Sequence, residues 1–146
     1  MDKLVGLGEA GVNVIGEFAK YPQYQCYRID EQLSGLKKDG FYCVDPQPTT
    51  EEYESTCPSF RNFLKGARPE ITLVLSGCGK ISGMSLALLE QVRDRKINVI
   101  YIRGGERRLS KRANLTERAT FGVLQEYARS VLFQSFQIIS NNSLKD

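Results

Sequence analysis

Short apolar runs typical of β-strands alternate along the chain with longer segments whose apolar residues recur at helical spacing. The predicted strands cover residues 3–7, 24–29, 40–44, 71–75, 97–102 and 136–140. The predicted helices cover residues 12–20, a segment from Thr50 through Phe63 that Pro58 must interrupt, residues 84–92 and residues 115–132. Thr50 is the expected N-cap of the second helix, because its hydroxyl can accept a hydrogen bond from the helix backbone.

This alternation indicates an α/β fold with a mostly parallel sheet and helices on both faces. The fourth predicted strand, residues 71–75, is almost entirely apolar, as expected of a central strand buried on both faces. Right-handed crossovers favour a doubly wound, Rossmann-like sheet of six strands in the order 3-2-1-4-5-6. The 146 residues contain no evident linker or repeat, so a single domain over residues 1–146 is expected.

The first predicted strand runs into a G-x-G-x-x-G turn formed by Gly6, Gly8 and Gly11. Asp30 follows 22 residues after Gly8, close to the spacing of a ribose-binding acid in dinucleotide-binding folds. Glycines let backbone N–H groups approach a phosphate, and a helix N-terminus adds partial positive charge. The motif therefore predicts either a phosphate site or a tight strand–helix turn that merely requires glycine.

A second glycine-rich loop, residues 77–83, follows the fourth strand. In the predicted strand order it faces the first loop across the crevice between strands one and four, where the order reverses. Gly79 and Lys80 suggest a P-loop, but Val74 stands at the position of its first glycine and Ile81 at that of its Ser/Thr. A Rossmann dehydrogenase does not need a second loop of this kind.

Five segments resemble the tubulin/FtsZ family in the same order along the chain. They are residues 6–13, a glycine loop ending in asparagine; 29–33, after strand two; 77–83, a glycine signature followed by methionine; 105–108, after strand five; and 138–144, after strand six. The resemblance covers nearly the whole chain. It implies the nucleotide-binding half of a GTP-binding, filament-forming GTPase.

The resemblance also implies roles for individual residues. Phosphate and base would be lined by Gly8, Gly11 and Asn13. The phosphates would be surrounded by Gly77, Gly79 and Gly83. Guanine or ribose would be contacted by Asn141 or its neighbour Asn142.

The chain departs from the family pattern at positions that would face the phosphates. Glycines of the family are replaced by Glu9, Ala10 and Val12, and the second loop departs at Lys80 and Ile81. A carboxylate about 4 Å from a phosphate charge costs about 4 kcal/mol at an effective dielectric constant near 20, or about three decades of affinity. We hypothesise that Glu9 and Lys80 meet across the crevice and occupy the phosphate site; the alternative is that both point to solvent.

The family's catalytic acid lies beyond strand six, after the point at which this sequence ends. We therefore expect a non-catalytic structural or assembly protein with protein partners in an oligomer, for example a component of a viral particle. The alternatives are a guanine-nucleotide-binding protein or partial GTPase that needs a partner chain, and a dinucleotide-binding Rossmann module. We expect that the chain has no preferred cofactor; if it binds one, we expect GTP or GDP.

Composition excludes several other kinds of site. The sequence has no histidine, which excludes Ser-His-Asp catalysis, Cys-His catalysis and zinc sites with imidazole ligands. No pair of its four cysteines has the close spacing of a structural zinc site. Cys26 and Cys43 lie in apolar runs and are expected to be buried free thiols. No carboxylate cluster has metal-ligand spacing.

Charge and hydropathy bear on partners and location. The net charge is +3, but cations cluster after the fifth strand. This cluster is either a solvated surface or a contact for an anionic partner, and it includes Arg107, Arg108, Lys111 and Arg112. Nucleic acid is not expected as a partner, because no aromatic residue interleaves the cluster. No apolar run reaches a membrane span of about 18 residues, so a cytoplasmic or virion location is expected.

Overall fold

The computed structural model describes residues 2–31, 40–64, 70–103, 111–130 and 133–140. The strands are β1 (Asp2–Leu7), β2 (Tyr24–Asp30), β3 (Phe41–Cys43), β4 (Glu70–Ser76), β5 (Lys96–Arg103) and β6 (Ser135–Ser140). The helices are α1 (Gly8–Phe18), α2 (Thr50–Ser55), α3 (Met84–Gln91) and α4 (Lys111–Arg129). A 3₁₀ turn, Lys80–Gly83, leads directly into α3.

The described strands form one parallel sheet in the order β3-β2-β1-β4-β5-β6, which confirms the predicted order and the Rossmann-like α/β fold. The order reverses between β1 and β4. The carboxyl ends of these two strands therefore diverge into loops that leave a crevice between them.

Helices cover both faces of the sheet. On one face, Ile15 of α1 packs against Leu4, Val74 and Ile102. The opposite face holds the larger core, to which α2, α3 and α4 contribute Tyr53, Met84, Leu88, Leu89 and Leu124. Side chains of successive strand residues point to opposite faces of the sheet, so a strand can contribute side chains to the packing on both faces. No helix in the described part of the chain is long and apolar enough to cross a membrane.

Two aromatic side chains of β2 and β3, Tyr27 and Tyr42, pack into the larger core. Tyr42 meets Phe60 and Phe63 edge-on, with ring centroids 4.9 and 5.3 Å apart, and Tyr27 meets Phe63 at 5.2 Å. Edge-to-face pairs of this kind stabilise a core beyond the area they bury. Tyr21 is different, since it precedes β2 and is 53% exposed.

Several sequence predictions need correction at the ends of elements. The N-cap of α2 is Thr49, not Thr50: Thr49 has extended backbone angles, and its hydroxyl accepts the backbone N–H of Glu52 at 3.1 Å. The same helix ends at Ser55, ahead of the predicted interruption at Pro58, because proline lacks a backbone donor and disfavours helical geometry in the residue before it. The first helix begins at Gly8, four residues earlier than predicted.

The predicted burial of the cysteines is wrong for Cys43. Cys43 lies on β3, at the edge of the sheet, and is exposed. Cys26 is half-buried, and its thiol donates to the Ile15 carbonyl oxygen at 3.6 Å. An apolar run on an edge strand is covered on fewer sides than one in the middle of a sheet, which explains the difference.

The packing of α1 on the sheet depends on Gly11. A Cβ atom added at Gly11 would collide with the carbonyl oxygen of Val74 on β4. Gly16 lies on the same helix, and a Cβ atom there would meet no other atom within 4 Å. The two glycines therefore form a natural comparison.

We expect Gly11→Ala to lower the free energy of unfolding by about 1–3 kcal/mol, because α1 must move away from β4. Gly16→Ala should raise it by about 0.5–1 kcal/mol, through better helix propensity. Urea unfolding of both variants measures the difference. Equal stability of the two would contradict the tight α1–β4 contact.

Lys3 of β1 is a buried cation. The residue is 3% exposed, and its ammonium lies 5.2 Å from the centroid of the Tyr27 ring. It forms no ion pair within the described part of the chain. Burial lowers the pKa of Lys3, and the charge of Arg95 lowers it further. The charged lysine therefore weakens the fold at neutral pH.

Lys3→Met should raise the free energy of unfolding at pH 7 by about 1 kcal/mol, because a charged group leaves an apolar site. The gain should shrink as pH rises through the lowered pKa toward the ordinary value of 10.5, since the folded wild type loses its proton first. Urea titrations at several pH values test this. Lys96→Met, at an exposed position of β5, is the control and should show no such gain.

Candidate functional site

Two adjoining clefts open at the carboxyl edge of the sheet, around the start of α1 and the second glycine loop. The first, of about 700 Å³, is called here the apolar cleft. The second, of about 710 Å³, is called the acidic cleft. Residues lining both are Glu9, Asn13, Gly79 and Ile81. The two clefts are therefore halves of one site at the reversal point of the sheet.

The two clefts differ in chemistry. Apolar walls of the first come from Leu7, Ala10, Val14, Phe18, Ile81 and Ile102. Polar and charged walls of the second include Glu9, Asp30, Glu31, Gln47, Tyr53 and Lys80. The first cleft suits an apolar group, and the second suits a polar or positively charged one.

The first glycine loop has two structural roles. Gly8 starts α1 with φ +77°, in the left-handed region that favours glycine, and it lines the apolar cleft. Gly11 faces the backbone of β4 and is buried. Asn13 lies two residues further along α1 and lines both clefts. The structure thus brings Gly8 and Asn13 to the site and assigns Gly11 to packing.

The second glycine loop is folded against the core. A Cβ atom at Gly77 would collide with the Tyr101 hydroxyl, and one at Gly83 would collide with the carbonyl oxygen of Thr50. Gly79 has open space around it and lines both clefts. Close packing accounts for glycine at Gly77 and Gly83 without a ligand.

The loop is also tied down by hydrogen bonds behind the clefts. The Ser82 hydroxyl lies 3.1 Å from that of Thr120 on α4 and 3.5 Å from the Gly77 carbonyl oxygen. Tyr101 is fully buried with its hydroxyl against Gly77, and burial followed by the charge of Glu117 raises its pKa. These contacts hold the loop in one position beside the clefts.

Negative charge dominates the acidic cleft. Among its described lining residues, Glu9, Asp30 and Glu31 are carboxylates and Lys80 is the single cation. Burial raises the pKa of Asp30, while its Oδ1 accepts the Glu31 backbone N–H at 2.8 Å; the charges of Glu31 and Glu9 raise the pKa further. The Tyr53 hydroxyl donates to Glu31. The carboxylates therefore act on one another across the cleft.

The hypothesised contact between Glu9 and Lys80 is only partly present. Both residues line the acidic cleft. Within the described ranges, however, they form no ion pair at 4.0 Å or less. Glu9 lies in the first turn of α1, where a carboxylate interacts favourably with the helix dipole, so it has a stabilising partner without Lys80.

Some predicted residues cannot be placed in the site. Asn141 and Asn142, with Arg107 and Arg108, lie outside the described residues. Lys111 and Arg112 belong to the first turn of α4, and Lys111 is exposed. Among the residues that are described, no group of three or more Asp, Glu or Cys could hold a metal ion.

The acidic cleft is also lined by Tyr53 and Gln47, which no sequence pattern predicts as site residues. They come from α2 and the segment before it, which the fold brings over the end of β2. Neither carries a local motif. Glu31 could have been found, because it directly follows Asp30 at the carboxyl end of a predicted strand.

Comparison with known proteins supports the fold. A scan against protein-family models gives no match, and a search of curated proteins gives none. Among solved structures, the chain is similar to CetZ2 from Haloferax volcanii, a tubulin/FtsZ-family protein solved as a GTPgS-bound protofilament. The TM-score is 0.70 at 13% sequence identity, over 100% of this chain and 51% of that one. The sheet has the tubulin/FtsZ N-terminal fold.

At this identity the likeness to CetZ2 shows the fold alone. The chain spans about half the length of that structure. The tubulin/FtsZ-like sheet places the two glycine loops side by side, as the resemblance of the sequence implied. The charges in the acidic cleft are properties of this chain.

The raised pKa of Asp30 has a consequence for stability. A carboxyl group whose pKa is raised on folding stabilises the fold only when protonated, so its contribution is lost as pH rises from 3.8 through the raised value. Asp30→Asn should increase stability at pH 7 by less than about 1 kcal/mol, given the partial exposure of the group. The gain should vanish near pH 3, and Asp45→Asn, at an exposed position, should show none. Urea unfolding at both pH values tests this.

Proposed function

We propose that this chain is a non-catalytic assembly protein built on a tubulin/FtsZ-like fold, whose cleft no longer takes a nucleoside triphosphate. The observation that carries the proposal is the charge of the acidic cleft, where Glu9, Asp30 and Glu31 stand against Lys80. The protein would act through contacts with protein partners in a larger assembly, in the cytoplasm or in a virion. Its basic segment around Lys111 is a further candidate contact.

Electrostatics supports the proposal. A triphosphate would bring several negative charges to the N-terminus of α1, where Glu9 already interacts with the helix dipole. At about 4 Å, each like-charge pair costs about 4 kcal/mol at an effective dielectric constant near 20. The single positive charge of Lys80 cannot offset the negative charges of three carboxylates and a triphosphate.

The glycine loops support it as well. Two of the three glycines in the second loop are explained by contacts with Tyr101 and Thr50. In the first loop Gly11 is explained by its contact with Val74. Glycine motifs at these places therefore follow from the fold and do not require a bound phosphate.

A guanine-nucleotide-binding function, alone or as a partial GTPase with a partner chain, is the second candidate. It is favoured by the position of the clefts beside Gly8, Asn13 and Gly79 and by the GTPgS named for the CetZ2 structure. A dinucleotide-binding module is the third candidate. It depends on the position of Asp30 at the end of β2.

Isothermal titration of GTP and GDP, with Mg²⁺, tests the proposal. We expect the wild type to show no micromolar binding, and phosphate-release assays to show no turnover. The neutral variant Glu9→Gln/Asp30→Asn/Glu31→Gln should bind more tightly than the wild type, because like-charge repulsion is removed.

The matched control is Glu51→Gln/Glu52→Gln/Glu54→Gln, which removes the same charge from exposed positions of α2. It should behave as the wild type does. Micromolar binding of GTP by the wild type would establish the second candidate and reject the first.

A further inference from the structure

The last strand, β6, lies at one edge of the described sheet and lacks the features that usually protect an edge strand. It pairs with β5 on one side, and no strand in the described ranges pairs with its other side, called here the outer edge. Edge strands are commonly protected by a charged residue, a proline or a bulge. The sequence of β6 is SFQIIS, without charge or proline, and its register with β5 is continuous.

The direction of the backbone groups of β6 follows from the hydrogen bond just before the strand. The Gln134 N–H donates to the Ile97 carbonyl oxygen at 2.7 Å, so it faces β5. The N–H and C=O groups of successive strand residues alternate between the two sides of a strand. By this alternation, the outer edge presents the backbone donors and acceptors of Ser135, Gln137 and Ile139.

The apolar layer above β6 is incomplete on the side of the larger core. The Phe136 ring packs against those of Tyr101 and Phe121, with centroids 6.3 and 6.2 Å apart, but Phe136 and Phe121 are only partly buried. Ile138 lies on the same face of the strand and is 49% exposed. At the opposite edge of the sheet, Tyr42 of β3 is covered by two phenylalanine rings. Apolar surface therefore stays open at the β6 edge.

We propose that the outer edge of β6 pairs antiparallel with the same edge of a second copy, across a two-fold axis at Gln137. Gln137 then lies opposite Gln137 of the second copy, and Ser135 lies opposite its Ile139. All three outward-facing residues of each strand thereby exchange backbone hydrogen bonds. A shift of two residues in either direction would leave one of the three opposite the end of the strand.

Side chains support this register. Phe136 lies opposite Ile138 of the second copy on the side of the larger core. Pairs of an aromatic and a β-branched residue in opposite positions stabilise antiparallel strands. Each pair also covers apolar surface that one copy leaves open. The register therefore satisfies the backbone and the apolar side chains together.

The chemistry of the strand selects a second copy as its partner. The chain has a net charge of +3, but β6 itself is uncharged, so two identical strands meet without like-charge repulsion in the strand pair. The pair would be about 20 Å long and one strand wide, which places the interface below the roughly 1,200 Å² of stable complexes. A weak dimer, with a dissociation constant in the micromolar to millimolar range, is expected.

The pairing closes on itself and is separate from the clefts. Each copy uses its β6 edge once, so association stops at two copies that share one continuous sheet. Residues of β6 line neither the apolar cleft nor the acidic cleft. The inference therefore goes beyond the proposed function, and nucleotide titration and self-association test the two independently.

Sedimentation velocity on the full chain tests the backbone pairing with two variants at one position. Gln137→Pro removes the N–H at the two-fold axis and should weaken dimerisation at least about tenfold, because the central pair of hydrogen bonds is lost. The monomer should tolerate it, since this N–H faces away from β5. Gln137→Ala is the matched control. It keeps the backbone donor and should dimerise as the wild type does.

A second variant tests the apolar contact. Ile138→Lys should also weaken dimerisation at least about tenfold, because a lysine on an edge strand opposes pairing. Tyr21→Lys makes the same change in charge at a position that is 53% exposed, and it should have no effect. Raising salt from 0.1 to 1 M should change the dissociation constant of the wild type by less than about threefold, because no ion pair contributes. Circular dichroism checks that every variant is folded.

Disulfide cross-linking with oxidised glutathione tests the register, in a Cys43→Ser background because Cys43 is exposed. Gln137→Cys should form a dimer through its own position. Ser135→Cys alone should not, because the two residues would lie about 13 Å apart along the strands, beyond the reach of a disulfide. Mixing Ser135→Cys with Ile139→Cys should restore cross-linking. Peptide mass spectrometry identifies the bond.

A wild type that stays monomeric up to about 1 mM would overturn the inference and would leave the β6 edge to an extended segment of another protein. A dimer that forms equally well with Gln137→Pro and Ile138→Lys would also overturn it. Cross-linking through Ser135→Cys alone, without cross-linking through Gln137→Cys, would reject the proposed register.

Discussion

The close approach of α1 to the junction of β1 and β4 is the constraint on which the rest of this molecule depends. Gly11 faces the Val74 carbonyl oxygen with no room for a side chain. This contact fixes where α1 begins and how it crosses the sheet, and hence where Glu9 and Asn13 stand. The clefts exist because the helix starts at the reversal point of the sheet, directly opposite the second glycine loop.

The proposed function requires that a tubulin/FtsZ-like fold can lose its preference for anions, and the same architecture gives a physical route to that loss. Backbone geometry at the edge of the sheet depends on packing. Gly77 packs against Tyr101 in the core and Gly83 against the backbone of Thr50, and neither partner lines a cleft. Charge in the clefts depends instead on a few side chains that hardly affect that packing. Carboxylates at Glu9 and Asp30 can therefore reverse the electrostatics of the site while the tubulin/FtsZ-like sheet persists.

The fold accommodates the three carboxylates of the acidic cleft because each has a favourable local interaction. Glu9 lies in the first turn of α1, Asp30 accepts the Glu31 backbone N–H, and Glu31 accepts the Tyr53 hydroxyl. Each carboxylate thus has a helix dipole or a donor that partly offsets repulsion by the other two. Burial is the main cause of the raised pKa of Asp30, and repulsion by the charges of Glu31 and Glu9 raises it further. A site that retains such repulsion favours contact with positively charged partners.

The sequence by itself determined the strand order, the parallel pairing and the positions of both glycine loops, because periodicity, short connections and crossover handedness are properties of local segments and of chain connectivity. It also placed Glu9, Asp30 and Lys80 near one crevice. Only the tertiary structure decided that Gly11, Gly77 and Gly83 serve packing. It also decided that Glu9 and Lys80 form no ion pair and that the Tyr53 hydroxyl donates a hydrogen bond to Glu31. These outcomes depend on distances between segments far apart in the chain, and no local pattern of residues records such distances.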